Sequence, residues 1–162
     1  PILLIVMTLL LLLDLNQVRS LDVRFDERIG LGGGSDTLFT RALNQRGARM
    51  VWCNESVAED TVEPERQTRS WALKRAFSHG NVATSVRLRL EDRPARRLLI
   101  RVQSATGCSA RVVVGYARTA FGLLARSTRH NARGRRLAWR GAGMVSASFG
   151  KAYHAYARST TS

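Results

Sequence analysis

Acidic residues are missing from the second part of this chain. All 12 Asp and Glu lie in residues 1–92, where 12 Lys and Arg balance them. Residues 93–162 hold 14 basic side chains and no acidic one, so the whole formal charge of +14 is local. A neutral segment is followed by a cationic one, and the cationic one calls for an anionic partner, either a phospholipid surface or a nucleic acid.

Cysteine is scarce. Cys53 and Cys108 are the two present, and their separation fits neither a zinc site nor a thioredoxin-type pair. They are expected as reduced, partly buried thiols of a cytosolic compartment. A long hydrophobic run is also lacking. Ile2 to Leu13 covers 12 residues and is apolar but for Thr8, whereas a bilayer span needs about 20. The run has no basic leader and no small-residue cleavage site, so it does not read as a signal peptide. It is predicted as a buried core strand, or two strands of a larger sheet. With Pro1 in first place, the chain is expected to be a piece of a longer protein. No internal repeat and no low-complexity linker occurs.

What remains is ordinary globular material. The hydrophobic fraction of 44% argues against wholesale disorder, and 162 residues allow one domain with a modest core. A polar stretch with Asp14, Asn16 and Gln17 precedes Leu21. Phe25-Asp26-Glu27-Arg28 then leads to Gly30-Leu31-Gly32-Gly33-Gly34, a loop in which adjacent glycines permit unusual backbone angles and close approach of a ligand. A helix should follow, with Ser35 and Asp36 as caps, Leu38, Phe39, Ala42 and Leu43 as its apolar stripe, and Gly47 as terminator. Ala48 to Cys53 reads as a short buried strand. An acidic loop, Asn54 to Glu63, comes next.

The following helix is predicted from Pro64, a favoured first-turn residue, to about His79 before Gly80. Val82 to Leu90 alternates like a strand, yet its position after Asn81 favours another helix. In Ser104 to Arg126, the residues Val113, Tyr116, Ala117, Ala120, Phe121 and Leu124 recur at helical spacing. Arg111, Arg118 and Arg126 lie off that stripe. Such a helix lies in a membrane interface with its arginines toward headgroups, or packs on the protein's own core with solvated arginines. Arg129 to Arg140 adds further cations, Gly141 to Gly150 is rich in small residues, and Tyr153 and Tyr156 precede a polar end.

The segment from Phe25 to Trp52 resembles family 2 glycosyltransferases. Those enzymes carry FDE-x-FG-x-x-GGEDT, a helix ending in Gly, and a strand ending in Trp. The similarity continues through Pro64-Glu65-Arg66, Trp71, Arg75-Ala76-Phe77 and Gly80-Asn81, and more loosely through Arg140-Gly141-Ala142-Gly143-Met144, Tyr153 and Tyr156, which resemble the end of actinobacterial members. The resemblance implies an α/β fold: an incomplete C-terminal half of the GT-A type over residues 1–92, followed by a mostly helical basic tail over 93–162. It also implies an inverting sugar transfer, in which a carboxylate takes the proton of the acceptor hydroxyl as its oxygen attacks the anomeric carbon. Asp36 matches the family's general base, with a helix cap as the plainer alternative. Gly33, Gly34, Ser35, Arg66, Arg69 and Trp71 are the corresponding substrate-binding candidates. Trp71 would floor a sugar or lipid acceptor or sit in the core. Arg66, Arg69 and Arg75 would face a diphosphate or form a solvated basic face.

The chain departs from the family in three places. Ser35 stands where the family has Glu. The processive motif Gln-x-x-Arg-Trp is altered to Gln67-Thr68-Arg69-Ser70-Trp71, which moves the arginine about 100° round a helix and speaks against polymer synthesis. The Asp-x-Asp motif that places a divalent metal, Mg or Mn, on the donor diphosphate is absent from the sequence. Sugar transfer by this chain alone is therefore not expected, and a nucleotide-sugar and a glycan or lipid-linked acceptor become partners only if a donor-binding half is supplied. The alternative is a non-catalytic remnant that binds an anionic membrane at its cytoplasmic side, peripherally or monotopically. Nucleic acid is the less favoured partner, because the basic residues are not interleaved with aromatic stacking platforms.

Overall fold

The computed structural model describes residues 11–27, 33–56, 61–151 and 153. The apolar run up to residue 10, Gly30 to Gly32 of the glycine loop, Glu59 and Asp60 of the acidic loop, and Tyr156 lie outside the described residues. Among the described residues all regular structure is helical: α1 (Leu15–Ser20), α2 (Ser35–Gln45), a 3-10 turn (Pro64–Gln67), α3 (Arg69–Arg89), α4 (Pro94–Leu124) and α5 (Thr128–Ser148). The α/β, GT-A-like expectation is thereby overturned. The segment predicted as a strand, Ala48 to Cys53, is irregular, with Val51 79% and Trp52 71% exposed. A strand persists only where neighbouring backbone meets its N–H and C=O groups, and no such ladder exists among the described residues.

The chain divides into two units, Pro1–Thr61 and Val62–Ser162. In the first, the Asp14 side chain caps α1 by accepting from the backbone N–H of Asn16 at 2.9 Å and of Gln17 at 3.3 Å. Helix α2 buries Leu38, Phe39 and Leu43 along one face. It ends where Gly47 turns left-handed (φ 85°), which lets Ala48 N–H return to the Leu43 carbonyl at 2.9 Å. Val23, Phe39, Leu43 and Ala48 form the small core, flanked by Val18, Leu21 and Met50. Phe25 stacks on Phe39 with ring centroids 4.1 Å apart. Arg46 ties the two helices by donating from Nη1 to the carbonyls of Leu21 and Asp22.

In the second unit, Thr68 caps α3 by accepting from Trp71 N–H at 3.2 Å. Helix α3 starts after the 3-10 turn at Pro64 and runs straight through Gly80 to Arg89. The stop predicted at His79 does not occur, and the helix favoured for Val82 to Leu90 is the continuation of α3. Helices α4 and α5 are joined by a turn at Ala125–Ser127, with Arg126 left-handed (φ 49°) and Ser127 capping α5 through His130 N–H. They run antiparallel, since Gly122 meets Asn131, Gly115 meets Ala138, and Gly141 meets Cys108. The seam consists of small residues: Ser104, Cys108, Gly115, Thr119 and Gly122 from α4, and Gly134, Ala138 and Gly141 from α5. On the other side of α5, Gly143 lies against the Phe77 carbonyl and Gly80 against that of Arg140. At either glycine an added Cβ would collide with the facing backbone oxygen. Gly80 therefore sits mid-helix because the crossing requires it, despite its poor helix propensity.

Candidate functional site

The four catalytic-region candidates of the first unit are consecutive. Gly33 (φ 72°) and Gly34 (φ 87°) are both left-handed, a backbone form that residues with a Cβ rarely adopt. Gly34 is itself the N-cap of α2 and provides no side-chain cap bond. Ser35 and Asp36, predicted as caps, are the first two residues of the helix proper. The Gly34 carbonyl accepts from Leu38 N–H at 2.8 Å and starts the helical ladder. Asp36 is half-buried in the first turn, where the helix dipole favours a carboxylate. Its Oδ1 lies 3.5 Å from the Thr37 hydroxyl, and its carbonyl accepts from Thr40 Oγ1 at 2.9 Å. The Asp36 side chain thus stands two residues after the turn at Gly33 and Gly34.

Arg66, Arg69 and Trp71 cluster in the second unit, on the 3-10 turn and the first turn of α3. Arg66 Nε pairs with Glu63 at 3.3 Å between exposed side chains, a contact that water and salt screen strongly. Arg69 opens α3 and is exposed. Trp71 is 38% exposed, with the Arg75 guanidinium 5.9 Å from its ring centroid. The core-tryptophan alternative for Trp71 does not hold. Among the described residues no group of three His, Cys, Asp or Glu is placed to hold a metal ion.

The cysteines differ from each other. Cys53 is exposed, contrary to the expected partial burial, and its thiol donates to Glu55 Oε2 at 3.2 Å. A backbone hydrogen bond, then that thiol, holds the Glu55 carboxyl below the usual carboxylate range. Cys108 is buried in the helical seam, 3.6 Å from Met144 Sδ.

A further surface feature belongs to α4 and α5. Val113, Tyr116, Phe121 and Leu124, four residues of the predicted stripe, are all exposed, at 56% or more. They do not pack on the protein's own core. The stripe also extends beyond its predicted limits, to Leu98 and Val102 at the start of α4. Sequence reasoning missed these two, although the three- and four-residue spacing continues to them and was the signal available. Between α4 and α5 opens a shallow groove of about 560 Å³, lined by Val112, Val113, Ala142, Val145, Phe149 and Lys151, among others. Arg111 and Arg118 fall on the opposite side of α4 from the stripe, as the helical repeat of 3.6 residues requires, while Arg96 lies on its flank. No described helix is long and apolar enough to cross a membrane. No protein-family model, no curated protein and no solved structure matches this chain.

Proposed function

We propose that this chain contributes the acceptor side of an inverting sugar transfer of the family 2 glycosyltransferase kind, with Asp36 as general base, at the cytoplasmic face of a membrane. The observation that supports this is the element Gly33-Gly34-Ser35-Asp36, in which two left-handed glycines lead into a helix whose first turn carries the carboxylate. It stands inside the ordered words Phe25-Asp26-Glu27, Asp36-Thr37, Gly47 and Trp52. The carboxylate takes the acceptor hydroxyl's proton as the oxygen attacks the sugar, and the bare backbone of the turn leaves room for the acceptor ring. The sequence carries no Asp-x-Asp, so turnover on this reading requires a segment or chain that bears one. No sheet is part of this proposal.

The experiment is a titration of the labelled chain with short alkyl glycosides, followed by amide NMR. Shifts concentrated at Gly33 to Asp36, and lost in Asp36→Ala, are expected. The absence of any shift there at millimolar glycoside would refute the proposal.

A second reading, association with an anionic membrane without catalysis, is favoured by the exposed apolar stripe of α4 within the segment that has no acidic residue. It predicts sedimentation with anionic vesicles that weakens with salt and is absent with neutral ones. A chain that stays in the supernatant at low salt would disprove it.

A further inference from the structure

We infer that the α4–α5 hairpin is built to sit within one leaflet of an anionic bilayer, not merely on its surface, its arginines at headgroup level and its apolar face among the acyl chains. The inference rests on the membrane reading above and deepens it. Its main support is the inverted distribution of residue size. In a helix pair stabilised by water, large apolar side chains occupy the seam and polar ones face out. Here the seam holds Gly115, Thr119 and Gly122 against Gly134 and Ala138, close enough that a Cβ on any of these glycines would strike the facing helix. The large residues Leu98, Val102, Val113, Tyr116, Leu123 and Leu124 all face outward. Close backbone packing through small residues is how helices associate when the surroundings are as apolar as leucine.

The charge distribution sets the orientation. Arginines recur on α4 from Arg96 to Arg118 and on α5 from Arg129 to Arg140, so neither helix has a charge-free length that could cross the bilayer. At the helical step of about 100° per residue the stripe faces away from the buried seam, and Arg111 and Arg118 lie about 140–160° round from Val113, toward the seam side. Only an axis parallel to the membrane plane puts the stripe in hydrocarbon while long arginine stems reach back to phosphate. The groove between α4 and α5 shares Val113 with the stripe. Its lining by Val112, Val113, Val145 and Phe149 suits an acyl chain, and Lys151 in the same lining suits the phosphate of the same lipid. The lysine is not left to chance, because buried Asn81 donates to its carbonyl at 2.7 Å. The occupant is thus an anionic phospholipid, matched in charge by a segment without a single carboxylate.

The test uses the full chain with Trp52 and Trp71 replaced by Phe, leaving Trp139 on α5 as the only tryptophan. It is mixed with phosphatidylglycerol–phosphatidylcholine vesicles whose acyl chains are brominated at defined depths. Insertion predicts that the chain bound at about 50 mM salt stays bound at about 1 M, where surface charge is screened, and that shallow bromines quench Trp139. The double variant V113S/Y116S is expected to lower the salt-resistant fraction about tenfold, since two apolar contacts with the chains are lost. Binding that is fully stripped by salt with Trp139 unquenched overturns insertion and leaves surface association standing. No binding even at low salt overturns both.

Discussion

The side-chain amide of Asn81, in the middle of α3, donates to the carbonyl of Lys151, beyond the end of α5, at 2.7 Å. The same Nδ2 faces the Gly143 carbonyl at 3.4 Å, and Oδ1 accepts from Tyr153 N–H at 3.0 Å. These partners fix the orientation of the amide, since the carbonyls only accept and the N–H only donates. At 2% exposure, Asn81 works as a clasp that holds the chain after α5 against α3, aided by the edge contact of Tyr153 with Phe77 at 5.2 Å.

Replacing Asn81 by Ala leaves the Lys151 carbonyl and the Tyr153 N–H without this partner. A loss of about 1–3 kcal/mol is expected, the cost of stranding buried polar groups. Hydrogen exchange should speed up at Tyr153 before it does so in the middle of α4. Unchanged protection at Tyr153 would show that the clasp does not hold that segment.

Glycine positions separate by what faces them. Gly143→Ala puts a methyl group into the Phe77 carbonyl and must spread α3 from α5, at a cost of about 1–3 kcal/mol or more. Gly107→Ala, in α4 with nothing within 4 Å of the new Cβ, should stabilise by about 0.5–1 kcal/mol through helix propensity. Thermal unfolding of the two variants reads the opposite signs directly.

Thr84 is 1% exposed, and its hydroxyl has no hydrogen-bond partner among the described residues. Thr84→Val keeps the branched shape and removes the unmatched group. An increase in stability of about 1 kcal/mol is expected in denaturant titration. A decrease would show that the hydroxyl is satisfied in solution.

The two thiols should react at different rates. Cys53 is open to solvent and Cys108 is 3% exposed within the seam. A maleimide added to the native chain should label Cys53 alone, with Cys108 reacting only after unfolding. Equal labelling in the native state would mean that the seam opens readily.

Local features of this protein were legible in its residues. The separation of charge at residue 92, the helix that begins after Gly34 and stops at Gly47, and the amphipathic run through Val113 and Leu124 all follow from one-dimensional pattern. The reason is that a helix satisfies its backbone between residues four apart, so caps, glycine and apolar spacing are enough to mark it. The candidate turn at Gly33–Gly34 was legible for a similar reason, as a glycine's freedom is a property of that residue alone.

Other features depended on partners distant in sequence. Ala48 to Cys53 has the composition of a strand, but a strand exists only beside another, and the described residues supply none. Gly80 looked like a stop and proved to be a crossing point, since only the Arg140 carbonyl on α5 explains why a side chain is excluded there. The small residues of α4 and α5 carry no sign of their role in the sequence. It took the folded hairpin to show that they form the seam and that the large apolar residues face outward. Hydrogen bonds within a helix are fixed by sequence separation. The contacts between helices, and hence which face is left for the surroundings, were decided by tertiary packing alone.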